Sequence, residues 1–196
     1  MTSSVVDPRE LARCRRQIFL SLFIALAVAL NTLEFMLPSP APWFRLGFAN
    51  ILTLVALYLF GGRAAWTVAL ARILVGALLL GRLFSPGFFL SLGGGVLATA
   101  LMTGARRLAG ERLGPIGASL LGAAGHATGQ LLVAWLLLVR HAGLWTLYPP
   151  LLLFALGAGL LNGIAADVLI GTLRRHPAFA RGATGQVGGE VSPSGK

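Results

Sequence analysis

Apolar runs long enough to cross a bilayer follow one another from residue 17 to residue 173, and they leave this chain little choice of fold. Only 11% of its residues are charged and its mean hydropathy is +0.81. A soluble domain carries about 25% charged residues, so this chain has too few to coat a globule. At roughly 20 residues per crossing, 196 residues suffice for one all-α integral membrane bundle of about six transmembrane helices and no second domain. Four ionisable residues, Glu34, Arg72, His126 and Asp167, sit inside apolar stretches. A buried ionisable group costs roughly 2.5–3.5 kcal/mol on insertion scales. Such groups are usually kept for a binding site, a proton relay or a structural ion pair.

The expected spans are 17–37, 46–60, 64–80, 88–104, 115–139 and 148–173. A basic N-terminal segment, 1–16, precedes the 17–175 transmembrane domain, and a Gly- and Ser-rich tail, 176–196, follows it as an expected disordered segment. Ala27-Val28-Ala29 resembles a signal-peptide cleavage site, but the apolar run continues past it, which favours a retained span. Gly61-Gly62-Arg63 reads as a tight turn, and 81–87 as a loop or partly re-entrant segment. With the N-terminus inside, twelve of the sixteen Lys and Arg fall on the cytoplasmic side. Three (Arg45, Arg82, Arg140) fall outside, and Arg72 lies within the membrane. That asymmetry places both termini in the cytoplasm.

The net charge of +10 does not indicate nucleic acid, because the basic residues flank apolar runs instead of forming one patch with interleaved aromatics. Cys14 is the single cysteine, which excludes an intrachain disulfide and a cysteine metal site. Asp7 and Asp167 are the only aspartates, so no aspartate-rich Mg–diphosphate motif exists. No catalytic residue, resident metal or permanently bound cofactor is expected, and the chain does not read as an enzyme. Gly93-Gly94-Gly95 lacks the Lys-Ser/Thr ending of a phosphate loop and reads as close helix packing.

Helical rise places the polar residues by depth. From the inner ends of their spans, Asn31 lies about 22 Å up, Asn50 about 20 Å, Gln130 about 22 Å, His126 about 16 Å and Asn162 about 18 Å. Glu34 is one turn beyond Asn31 on the same face, and His126 and Gln130 share a face at i, i+4. Asn31, Glu34, Asn50, Arg72, His126, Gln130 and Asn162 are therefore candidate ligand-binding residues of an outward-opening polar pocket. Interhelical hydrogen-bond glue, at about 0.6 kcal/mol per contact, is the competing reading. Arg72 and Asp167 fall at a shared depth of about 10–13 Å. They form either a buried ion pair or, for Arg72, a direct anion contact. Trp43, Phe44, Trp145 and Tyr148 lie near the outer boundary as an interface belt or as stacking groups over a pocket.

Several blocks resemble a known bacterial family. Arg45-Leu46-Gly47-Phe48-Ala49-Asn50-Ile51-Leu52-Thr53-Leu54 is similar to its K/R-L-G-L-A-N-I-x-T-L block. Arg72-Ile73-Leu74-Val75-Gly76, Leu83-Phe84-Ser85-Pro86 and Ser91-Leu92-Gly93-Gly94-Gly95 follow in order. Gly125-His126-Ala127-Thr128-Gly129-Gln130-Leu131 resembles a G-H-N-x-G-Q-L block, with Ala127 where the family often has Asn. The family is the Gx transporter family, historically labelled heptaprenyl diphosphate synthase component I. It is similar to the substrate-binding S-components of energy-coupling-factor vitamin transporters. The resemblance implies a vitamin- or cofactor-type solute, with flavin a candidate. It also implies a transmembrane coupling protein and ATPase subunits as partners, met at an Ala25-x-x-x-Ala29 face, or a flavin-dependent redox complex. A non-catalytic accessory role in prenyl diphosphate synthesis or in a membrane redox complex is the alternative.

Overall fold

The computed structural model describes residues 8–36 and 47–176. The expected tail 176–196 lies outside these residues apart from His176, as do Trp43, Phe44 and Arg45. The described residues form six α-helices: α1 (Pro8–Met36), α2 (Phe48–Phe60), α3 (Gly62–Leu79), α4 (Pro86–Ala109), α5 (Pro115–Leu137) and α6 (Tyr148–Arg175). No strand occurs among the described residues. Five of the helical segments are long and apolar enough to cross a membrane, and α2 is a shorter apolar helix. In hydrocarbon every backbone donor and acceptor needs a partner within its own segment, which the helix supplies. Large apolar side chains point outward, among them Leu78, Leu79, Leu153, Leu161 and Val168, each more than 60% exposed. A soluble protein rarely exposes so much apolar surface; in a bilayer this is the lipid-facing coat. The chain is a multi-pass helical membrane protein.

Local chemistry sets the helix ends. Pro86 and Pro115 stand in the first turns of α4 and α5, where a missing N–H costs nothing. Ser85 Oγ accepts the Phe88 N–H to cap α4. Gly61 separates α2 from α3 at φ 88°, a backbone conformation that a side chain would strain. The segment between α3 and α4 is a compact turn. The expected spans match these helices closely. The main difference is α1, which begins at Pro8 and so carries helix into the basic N-terminal segment.

The bundle has two halves. Helices α1, α2 and α3 pack on one another, as do α4 with α5 and α5 with α6; contacts of α2 with α6 and α3 with α4 join the halves. α2 is central, buried continuously from Leu52 to Leu57. A helix apolar on every side belongs in such a position. It has 13 residues, about 20 Å of rise, against a hydrocarbon core of about 30 Å. Charged side chains of neighbouring helices meet both its ends. Glu34 of α1 accepts the Phe48 N–H at the α2 N-terminus. Arg16 of α1 donates to Phe60 O at 3.0 Å, and Arg174 of α6 to Tyr58 O at 3.4 Å. Negative charge at the N-terminus and positive charge at the C-terminus both complement the helix dipole.

Small residues let the second half close tightly. A Cβ on Gly129 would lie 2.5 Å from Gly93 O, so α4 and α5 touch backbone to backbone there. A Cβ on Gly163 would lie 2.9 Å from Ile116 Cα across the α5–α6 seam, where Ser119 Oγ donates to Gly159 O at 2.7 Å. In lipid such packing and such hydrogen bonds replace apolar burial as the force between helices.

Candidate functional site

A polar cavity lies between the two halves, in the part of the bundle opposite the Arg63 and Arg106–Arg107 end. All six helices line it. α1 supplies Asn31 and Glu34, α2 Asn50 with Gly47 just before it, α3 Arg72 and Ile73, and α4 Ser91. α5 supplies Ala123 and His126, and α6 Ala155, Ala158, Gly159 and Asn162. About 80 Å³ of the interior is reachable by water centres, and the free volume out to the open mouth is about 680 Å³. One water needs only about 10–15 Å³, so the interior takes a polar group of several atoms. A smaller neighbouring cavity shares Asn31, Ile73 and Ser91 and extends toward Arg82 and Ser85.

Six of the seven candidate ligand residues thus converge. Arg72 is 6% exposed and Asn162 7% exposed. Arg72 Nη2 donates to Asn50 Oδ1 at 3.5 Å, and Asn162 Nδ2 donates to Gly47 O at 3.4 Å. Both bonds are long, and each amide can form as many as four. Glu34 sits at the α2 N-terminus, bonded to the Phe48 amide. Gln130 does not line the cavity; its Cγ packs over Gly94 beside the His126 ring.

The structure does not bring Arg72 and Asp167 together. Arg72 faces the cavity and Asn50. Asp167 is exposed on α6, does not line the cavity, and acts electrostatically on Tyr58 together with Arg106. The Arg106 guanidinium lies 4.6 Å from the Tyr58 ring centroid and donates to Leu113 O at 3.1 Å, while Tyr58 Oη donates to the same carbonyl at 2.6 Å. Equal depth along two helices does not put two residues on facing sides, and here it does not.

Of the outer aromatics, Tyr148 Oη shares a hydrogen bond with Thr128 Oγ1 at 2.9 Å, tying α6 to α5, and Trp145 packs between Tyr148 and Trp135. None of these lines the cavity. Ala25 and Ala29 are exposed on α1.

The sequence reading missed Ser91 and, on α6, the small residues Ala155, Ala158 and Gly159 beside Asn162. Ala155, Ala158, Gly159 and Asn162 follow i, i+3, i+4, i+7 spacing, a single small-residue face with one amide, and that pattern was visible. Two glycines also serve the site directly. A Cβ on Gly76 would lie 2.6 Å from Asn31 Nδ2, and one on Gly94 would lie 2.9 Å from His126 Nδ1. Each glycine makes room for a polar side chain from another helix. Among the described residues no group of three His, Cys, Asp or Glu is placed to hold a metal.

No curated protein and no solved structure matches the chain. The family described as heptaprenyl diphosphate synthase component I matches residues 23–169. That match covers well over half of the 196 residues and takes in every residue that lines the cavity. The chain therefore belongs to the heptaprenyl diphosphate synthase component I family, the one its sequence blocks resemble.

Proposed function

We propose that the protein is the solute-binding subunit of a membrane transporter, similar to an S-component, and that the cavity holds part of a small vitamin- or cofactor-type molecule. One observation carries this reading. Charged, amide and imidazole side chains from five helices, α1, α2, α3, α5 and α6, converge on shared open volume inside an otherwise apolar bundle. A flavin is a candidate solute; the 80 Å³ interior would admit one polar edge of it, with the remainder in the mouth. In this reading the chain performs no covalent chemistry. Both termini face the cytoplasm of a bacterial cell, and the cavity opens outward.

The chain has no nucleotide-binding motif, so movement would be driven by ATPase subunits through a transmembrane coupling protein. Exposed Ala25 and Ala29 offer that protein a close helix–helix approach. The family description favours a second reading, a non-catalytic accessory subunit of prenyl diphosphate synthesis.

Mass spectrometry of small molecules retained by the protein in mild detergent tests both. A flavin or other vitamin-like solute present in wild type and lost in Arg72→Gln supports the binding subunit. A retained prenyl diphosphate supports the accessory role. A well-folded protein that retains nothing, and takes up no added flavin, counts against a binding site.

A further inference from the structure

Two opposite charges line the cavity, and the structure distinguishes them. Arg72 is 6% exposed, fixed at mid-helix in α3, and in contact with Asn50. A guanidinium does not lose its proton in a protein. Glu34 is only partly buried, near the end of α1, and its carboxylate is bonded to the Phe48 amide. That amide is one of the first-turn donors that a helix cannot satisfy from within. It is also the end of α2 where the dipole favours an anion. A carboxylate of the chain thus already occupies an anion-binding position beside a buried cation.

We infer that the cavity takes a ligand bearing a carboxylate or phosphate, and that this oxyanion replaces the Glu34 carboxylate at the α2 N-terminus beside Arg72. The inference rests on reading the cavity as a ligand site. Its logic is electrostatic. A second anion beside ionised Glu34 would meet like-charge repulsion in a poorly solvated space. One of the two carboxylates has to leave, and Glu34, on a flexible side chain near a helix end, is the one that can. A cationic ligand would instead oppose Arg72, which can neither move far nor be neutralised. Glu34 therefore acts as a tethered competitor, present at the high effective concentration that tethering confers.

The test uses the full-length protein in uncharged detergent at constant ionic strength. Equilibrium dialysis of labelled inorganic phosphate and, separately, of labelled acetate is compared for wild type, Glu34→Gln and Arg72→Gln. Glu34→Gln keeps an oxygen acceptor for the Phe48 amide but removes the charge. Its affinity for at least one of the two anions should rise on the order of tenfold, and the preferred anion names the ligand's charged group. Arg72→Gln should abolish binding of that anion. Unchanged or weaker binding of both anions in Glu34→Gln overturns the inference.

Should Glu34→Gln not fold, wild type gives the same answer. The preferred anion at saturation should expose Glu34 and raise its labelling by a water-soluble carbodiimide at least twofold; unchanged labelling overturns the proposal. The two levels of failure separate. A neutral or cationic solute retained by wild type, with no gain in Glu34→Gln, sinks the anion inference and leaves the cavity as a ligand site. No solute of any charge bound by wild type or variant sinks both.

Discussion

Gly94 shows how much of the site is decided by atoms that are missing. Its absent Cβ lets the His126 ring lie against α4, as the absent Cβ of Gly76 admits the Asn31 amide. Gly94→Ala should displace His126 and weaken ligand retention by about tenfold, the equivalent of about one hydrogen bond, while leaving the protein folded. Equilibrium dialysis with the retained solute checks this; unchanged retention would remove His126 from the site. Spacing and depth grouped Asn31, Asn50, His126 and Asn162 at about 16–22 Å, with Glu34 a turn above them and Arg72 lower, at about 10–13 Å. They could not separate Gln130, which packs over Gly94, or Asp167, which faces outward, because rise along a helix carries no information about which neighbour a face meets. Likewise, the triple glycine read as packing because a missing side chain does not announce whether it admits a helix or a histidine.

Among the elements, α2 depends most on its neighbours. A 13-residue helix is marginal by itself, and this one is fastened at both ends by α1 through Glu34 and Arg16. Glu34→Ala should lower stability by about 1–2 kcal/mol, as loss of an N-terminal cap does. Arg16→Ala should cost about 1 kcal/mol or less, since its bond to Phe60 O is exposed. Thermal unfolding in detergent micelles ranks the two; equal losses would mean that Glu34 does not cap α2. Gly129→Ala belongs to the same scale. Its Cβ would lie 2.5 Å from Gly93 O, a backbone atom that cannot swing aside, so the α4–α5 seam should open at a cost of about 1–3 kcal/mol. The helices themselves were legible within a few residues, because apolar length and Gly or Pro punctuation are local signals. The long-range caps were not, because Glu34 and Phe48 meet only after the chain has turned back on itself.

The whole molecule is two three-helix groups around a cavity, in a coat of leucine and valine. The face of α1 that carries Ala25 and Ala29 is exposed and small. On the proposed transporter reading, an Ala25→Leu/Ala29→Leu double variant should keep the thermal stability of wild type, since these side chains are exposed, yet lose solute uptake in cells. Uptake at the wild-type rate would exclude this face as the coupling surface. The 13-residue length of α2 also has an electrical consequence. If the cavity opens outward, as proposed above, the outside potential would extend into it toward Arg72, and the insulating path would be nearer the roughly 20 Å of α2 than the full bilayer. A charged solute entering from outside would cross little of the membrane voltage, whereas the step that releases it inward would cross nearly all, at about 2.3 kcal/mol per charge per 100 mV. Binding from outside should thus be nearly insensitive to voltage in proteoliposomes, and delivery steeply sensitive to it.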